Sequence, residues 1–135
     1  MGMMSVFDVG GSALTADRMW LEIIANNLAN SQTTQTPEGG PYRRRVPVFS
    51  EILDQHTGQP AGVEVTGIAY DQSPFQRRYD PGNPAADKNG FVLMPNVNPV
   101  NEMVDLITVE RTYDANTSVI SALKNMSSKA MDIGK

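Results

Sequence analysis

Residues 98–135 read NPVNEMVDLITVERTYDANTSVISALKNMSSKAMDIGK, and this stretch decides the fold. It has no glycine before Gly134 and no proline after Pro99. Leu106, Val109, Tyr113, Ile120, Leu123 and Ala130 recur at three- and four-residue steps, and Val119, Met126 and Ile133 widen the stripe. That is the period of one helix face. Asn98 is a good N-cap, Pro99 suits the first helical position, and Glu102 and Asp105 favour the positive end. Lys124, Lys129 and Lys135 lie toward the negative end. The spacing therefore predicts one helix, about 50 Å long at ~1.5 Å per residue. A compact chain of this size has a radius of gyration of about 14 Å. Such a rod cannot be wrapped by its own chain, so its stripe needs a partner of similar length.

The candidate partner lies at the other end. Residues 5–30 predict a second helix, frayed at Gly10-Gly11, with a narrow polar strip of Thr15, Arg18, Glu22 and Asn26. Around the rest run Leu14, Ala16, Met19, Trp20, Leu21, Ile23, Ile24 and Leu28. A helix apolar over so much of its circumference is buried on more than one side. The C-terminal helix covers one face, and something else must cover the other. The segment ends in ANNLANSQTTQT, residues 25–36. Asparagine tolerates the left-handed conformation that terminates helices, while Ala25 and Ala29 would admit a neighbouring backbone.

Residues 36–97 change character. All nine prolines lie between Pro37 and Pro99, and glycines recur through the same span. Strand-like pieces stand between them at 42–49, 63–70, 75–79 and 91–94, and Asp87-Lys88-Asn89-Gly90 is a turn signal before Phe91. The expected fold is mainly α with a small β insert. Its parts are an N-terminal helix with the Asn-rich motif (1–35), a Pro/Gly-rich β-hairpin insert (36–97) and a C-terminal helix (98–135). The two long terminal helices are expected to pack as a coiled-coil-like pair, although polar Asn116 interrupts the period.

Composition narrows the chemistry. The formal net charge is −4 and there is no cysteine, which excludes disulfides and thiolate metal sites. No apolar run approaches a membrane span. The start, MGMMSVFDVGGSALTA, lacks the basic n-region of a cleavable leader, and Asp8, Gly10 and Gly11 break its apolar run. His56 is the only histidine, it sits in a turn-like DQHTGQP, and no serine occupies a nucleophile elbow. AADKNG ends like a calcium loop, but Ala85 holds the first ligand position and no glutamate closes it. No catalytic, metal or cofactor site is expected. Arg43, Arg44 and Arg45, beside Tyr42, and Arg77 and Arg78, beside Tyr79, mix basic and aromatic residues as nucleic-acid binders do. On a strand, however, alternate arginines point to opposite sides. With an acidic total, the better reading of these five arginines is pairing with carboxylates on adjacent subunits or solvation of hairpin edges, which also blocks stray strand pairing.

ANNLANSQT strongly resembles the N-terminal signature of the flagellar rod and hook family of axial proteins. The resemblance continues through GPYRRRVPVF, SPFQRRYDPGNPAAD, GFVLMPNVN and EMVDLITVERTYDANTSVI, which together cover most of the chain. It implies a structural subunit of the proximal rod of the bacterial flagellar basal body, passing torque through packed helices. It also implies partners: other rod proteins, copies of itself, the rod-to-export-gate adaptor, and the flagellar type III export apparatus in transit. The expected location is the periplasmic rod, reached without a cleavable leader, with no membrane span and no nucleic acid. Assembly contacts are expected at Leu14, Trp20, Ile23, Ile24, Asn27, Leu28, Asn30, Leu106, Val109, Tyr113, Ile120 and Leu123. The alternatives are another short rod protein of the same family, or a small nucleic-acid-binding module using the Arg/Tyr clusters.

Overall fold

The computed structural model describes residues 3–134, so Met1, Gly2 and the C-terminal charge of Lys135 lie outside the described residues. Six elements follow in order. They are α1 (Met3–Ala29), β1 (Arg45–Leu53), β2 (Pro60–Tyr70), β3 (Gln76–Tyr79), β4 (Phe91–Met94) and α2 (Pro99–Ile133). The strands form two antiparallel two-stranded sheets, β1 with β2 and β3 with β4. The chain is thus two long helices carrying two small sheets between them.

The N-terminal boundary of α2 is set locally. The Asn98 side chain accepts from the Val100 and Asn101 amides at 3.0 and 3.4 Å, with Pro99 opening the helix. α2 then runs for 35 residues against the 27 of α1, roughly 52 and 40 Å at ~1.5 Å per residue. Early α1 meets late α2, at Gly10 and Ile120, and late α1 meets early α2, at Asn27 and Glu102, so the pair is antiparallel. The side of α2 withdrawn from solvent is the line Glu102, Leu106, Val109, Tyr113, Asn116, Ile120, Leu123 and Ser127, stepping by fours and threes.

Two sequence expectations need correction here. The stripe is narrower than read: Val119, Met126 and Ile133 are 56, 60 and 85% exposed, and Ala130 is exposed too. α2 outruns α1, and residues 128–134 are exposed, with no covering element among the described residues. Nor does α1 fray at Gly10-Gly11. A Cβ on Gly10 would stand 3.0 Å from both Ile120 Cγ1 and Cδ1, so its absence lets the helices close together, and that packing offsets the poor helix propensity of glycine. Ala25 and Ala29, expected to admit a neighbouring backbone, are both exposed on this chain and so open to one.

The second face of α1 is covered by the β1–β2 hairpin. Trp20 stacks edge-to-face on Phe49 at 5.3 Å, so its ring serves the hairpin rather than α2. Nearer the hairpin tip, Ser12 Oγ accepts from the Val63 amide at 3.1 Å. Gly62 next to it has φ +146°, and a Cβ there would lie 2.5 Å from Ser12 Oγ, so only glycine fits. The ladder runs from Arg45↔Tyr70 to Leu53↔Pro60 and slips twice, after Val48 and after Ile52. Such irregularities bend a strand. β1 begins at Arg45, three residues later than the sequence suggests, because the Tyr42 amide donates to the Thr33 carbonyl and the Arg44 amide to Asn96 Oδ1.

The β3–β4 sheet lies over the loop that follows α1, where Thr34, Gln35 and Pro41 face Phe91 and Val92 across a shallow cleft. Its register, Gln76↔Met94 to Tyr79↔Phe91, buries Val92 and Met94 and leaves Leu93 exposed. The turn read from sequence forms as expected, the Asp87 carboxylate accepting from the Asn89 and Phe91 amides at 2.8 and 2.9 Å. The most buried apolar side chains, Ile24, Val92 and Val109 at 1% exposure each, come from α1, β4 and α2. Each is worth about 1.5–3 kcal/mol.

The two adjacent glycines of α1 should respond oppositely. Nothing lies within 4 Å of a Cβ on Gly11. Gly11→Ala is expected to raise thermal stability by about 0.5–1 kcal/mol, whereas Gly10→Leu should lower it by about 1–3 kcal/mol by wedging Ile120 away. Thermal melts followed by circular dichroism would read both changes.

Candidate functional site

Where the helices meet the insert, the chain buries polar groups instead of apolar ones. Asn27 is 1% exposed. Its carboxamide accepts from the Tyr42 hydroxyl (2.9 Å) and the Arg45 amide (3.0 Å), and donates to the Arg45 carbonyl (2.9 Å) and Glu102 Oε2 (3.3 Å). Both amide hydrogens and both carbonyl lone pairs are used, which is the full capacity of that side chain. Asn27, expected from sequence among the assembly contacts, is a connector within the chain. No non-glycine residue among those described has positive φ. Asn30 ends α1 in a right-handed manner, its amide donating to the Asn26 carbonyl at 2.9 Å while Oδ1 accepts from Thr33 Oγ1 at 3.2 Å.

Glu102, in the first turn of α2, is equally buried at 1%. Its Oε1 accepts from Arg44 Nε, and Arg44 also reaches Asp71 at 3.3 Å and Asp105 at 3.6 Å. Burial works against the charge on Arg44, but the hydrogen bonds and charges of Glu102 and then Asp71 outweigh it and raise its pKa. The Asp71 carboxyl is pushed below its ordinary value, first by hydrogen bonds from the Ser73 hydroxyl and amide and then by Arg44. Burial pushes the Tyr42 phenol up, which keeps it a hydrogen-bond donor to Asn27.

Asn96 completes the cluster. Its Oδ1 accepts from the Arg44 amide at 2.7 Å, and its Nδ2 donates to the Asp71 and Ser73 carbonyls at 3.0 Å each. It thereby ties the segment entering α2 to the backbone on either side of the hairpin. A second polar pair lies further along the helices, where Asn116 Nδ2 donates to the buried Asp17 carboxylate at 2.9 Å. Asn116 interrupts the apolar period because it answers Asp17.

The remaining arginines are sorted by side. Arg43 donates to the Asp71 and Ser73 carbonyls at 2.8 and 3.2 Å and stacks on Phe75 at 4.3 Å. Arg45 faces the Tyr42 and Tyr70 rings. Arg77 covers Phe91 at 4.5 Å, and Arg78 reaches Gln32 at 3.3 Å and Asp80 at 4.0 Å. Of the expected packing residues, Ile23, Ile24 and Val109 are buried, and Leu14, Trp20, Leu28, Leu106, Tyr113, Ile120 and Leu123 are partly buried. Asp17, Tyr42, Asp71, Asn96 and Glu102 were not singled out as site residues from sequence. Polar character among apolar helix positions could have marked Asp17 and Glu102 alone, since Tyr42, Asp71 and Asn96 lie in connecting segments.

This arrangement contains no free nucleophile or poised base, and its polar atoms are occupied by one another. Among the described residues no group of three His, Cys, Asp or Glu side chains is placed to hold a metal ion. What the node can do is mechanical: it locks α1, the insert and α2 in one register.

Comparison with known proteins identifies that architecture. The family model "Flagella basal body rod protein" matches residues 7–34, and "Flagellar basal body rod FlgEFG protein C-terminal" matches residues 88–133. The flagellar basal-body rod protein FlgC of Salmonella typhimurium is 41% identical over 136 residues, covering 100% of both chains. The chain belongs to the FlgC family of flagellar basal-body rod proteins. FlgC of Borreliella burgdorferi is also 41% identical, with 98% of each chain covered, and FlgC of Bacillus subtilis is 40% identical, with 95% covered. Membership makes this chain a structural subunit of the basal-body rod, assembling with other rod and basal-body proteins. Within this FlgC-family chain, Asn27 lies in the first matched segment and Glu102 in the second, while Arg44 and Asp71 come from the insert between them.

Two outcomes test the node. Glu102→Ala leaves Arg44 with Asp71 and Asp105 alone, strands one Asn27 hydrogen, and is expected to cost about 1–3 kcal/mol. Asp105→Asn, at an exposed edge of the same cluster, should stay within ~1 kcal/mol. Equilibrium denaturation of the two variants would separate these values. Asp71 gives a pH signature. Because its folded-state pKa is lowered, its contribution is present above the ordinary aspartate range and is lost as pH falls through the folded value. The stability gap between wild type and Asp71→Asn is expected to be open at neutral pH and closed in acid, as read by denaturation at a series of pH values.

Proposed function

We propose that this chain is a proximal-rod subunit that transmits torque through helix packing, with α1 and α2 as its load-bearing pair and the insert facing outward. The observation that carries this reading is the mismatch between the helices. α2 outruns α1 and leaves Met131 and Ile133 more than half exposed past it, and Val119 and Met126 are more than half exposed on the side turned away from α1. Exposed apolar side chains in such density on one helix belong to an interface. In the proposed assembly they meet helices of neighbouring rod subunits, including copies of this chain, in a coiled-coil-like layer.

The remaining features follow the same reading. The chain travels through the flagellar type III apparatus to the periplasmic part of the rod, and the rod-to-export-gate adaptor is among its neighbours. None of the helices described is long and apolar enough to cross a membrane. The nucleic-acid alternative loses support from Arg44, which is engaged by Glu102, Asp71 and Asp105 within the chain.

The test exploits residues that are exposed in the single chain, so that folding is spared. Met126→Asp combined with Ile133→Asp is expected to leave helix content and export into the medium unchanged while reducing recovery in purified basal bodies at least tenfold. Lys124→Asp, on the same stretch of helix, should be recovered normally. Equal recovery of both variants would remove α2 as the assembly element.

A further inference from the structure

The three consecutive arginines 43–45 are divided by the alternation of an extended chain. Arg44 turns toward α2 and takes Glu102, Asp71 and Asp105. Arg43 and Arg45 turn the other way, and there neither has a carboxylate partner among the described residues. With Tyr42, Tyr70 and Phe75 they line an open cleft of about 400 Å³.

The two guanidiniums differ in how they are held. Arg43 is fixed by the Asp71 and Ser73 carbonyls and lies 4.3 Å from the Phe75 ring centre. Arg45 has aromatic neighbours only, Tyr42 at 5.5 Å and Tyr70 at 5.8 Å. Its Nε is buried and has no hydrogen-bond partner. Buried polar groups are nearly always satisfied, so a donor in this state, at the wall of a cleft, selects an acceptor from outside the chain.

We propose that this cleft receives the carboxylate of an Asp or Glu side chain from a neighbouring protein subunit. A guanidinium presents a planar fork that matches a carboxylate in two parallel hydrogen bonds. The rings supply apolar walls for the methylene stem and thin out the water that would screen the pair. A cleft of this volume holds one side chain rather than a helix. Glu38 on its lining and the net charge of −4 oppose a polyanion. Asp71, whose carbonyl Arg43 holds, turns its carboxylate to Arg44 and Ser73. The proposal rests on the chain being built into a multi-subunit rod.

The experiment uses assembled basal bodies carrying Arg45→Lys, which keeps the charge and introduces a primary amine into the cleft. Carbodiimide couples an amine only to a carboxylate in contact with it, and peptide mass spectrometry then reads the partner. The expected result is a dominant cross-link from position 45 to an Asp or Glu of another subunit. Coupling to Glu38 of the same chain alone, or to nothing, overturns the proposal. A second variant, Arg43→Gln with Arg45→Gln, should keep helix content and export while recovery in basal bodies falls at least tenfold, and recovery within twofold of wild type counts against the cleft. Oligonucleotide binding by the wild-type chain that this double variant loses would replace the carboxylate with phosphate and overturn it as well. Absence of the wild-type chain from basal bodies would sink the rod reading, whereas its presence with no cross-link and an unaffected double variant sinks the cleft alone.

Discussion

The structure depends on one buried ion pair and the amide that completes it: Glu102 against Arg44, with Asn27 holding the second carboxylate oxygen. Taking the Glu102 carboxylate out of water costs several kcal/mol, and the pairing returns little more than that. The arrangement therefore adds little net stability. Its effect is selective, because sliding α1 against α2 by one turn would take Asn27 away from the second Glu102 carboxylate oxygen and leave that buried acceptor unsatisfied. Apolar contacts along the two helices are far more tolerant of such a slip, since one aliphatic side chain replaces another at small cost. The register of the helix pair is thus set at its insert end by polar chemistry and further along by Asp17 with Asn116.

That division suits a subunit whose helices extend beyond its own fold. Over residues 102–127 of α2 one side is withdrawn from solvent, and past that point the described residues offer no cover. Gly10 lets the helices approach at the last well-packed level, against Ile120. The hairpin covers the opposite side of α1 through Trp20, Phe49 and Ser12. Two strands alone would be marginal, so the hairpin and the helix support each other, and the node fixes where the hairpin begins.

Glycine and asparagine carry more of this architecture than their usual roles suggest. Gly10 and Gly62 are sites of close approach, one to Ile120 and one to Ser12. Asn27 and Asn96 act as portable backbone, each pairing with main-chain groups that no strand partner reaches. The Asn-rich motif that marks the family is, at Asn27, a structural joint between segments far apart in sequence.

The sequence by itself determined the features that local physics controls. Asn98 and Pro99 start α2, a three-and-four period predicts its length, Asp87 and Gly90 turn the second hairpin, and β4 falls at 91–94 as read. The family was legible as well, because ANNLANSQT and the C-terminal helix carry it in residues that can simply be read. Tertiary structure decided the rest. Val119, Met126 and Ile133 fit the helical period as well as Leu106 and Leu123 do, and only the limited width and length of α1 leaves them outside. Arg43, Arg44 and Arg45 are chemically identical, and their different partners arise from the direction each faces relative to α2, Phe75 and Tyr70. Glu102 looks like an ordinary first-turn acid, and Asn27 like one more asparagine of the motif. Their roles depend on each other across 75 positions of sequence, and no local propensity encodes a partner that distant.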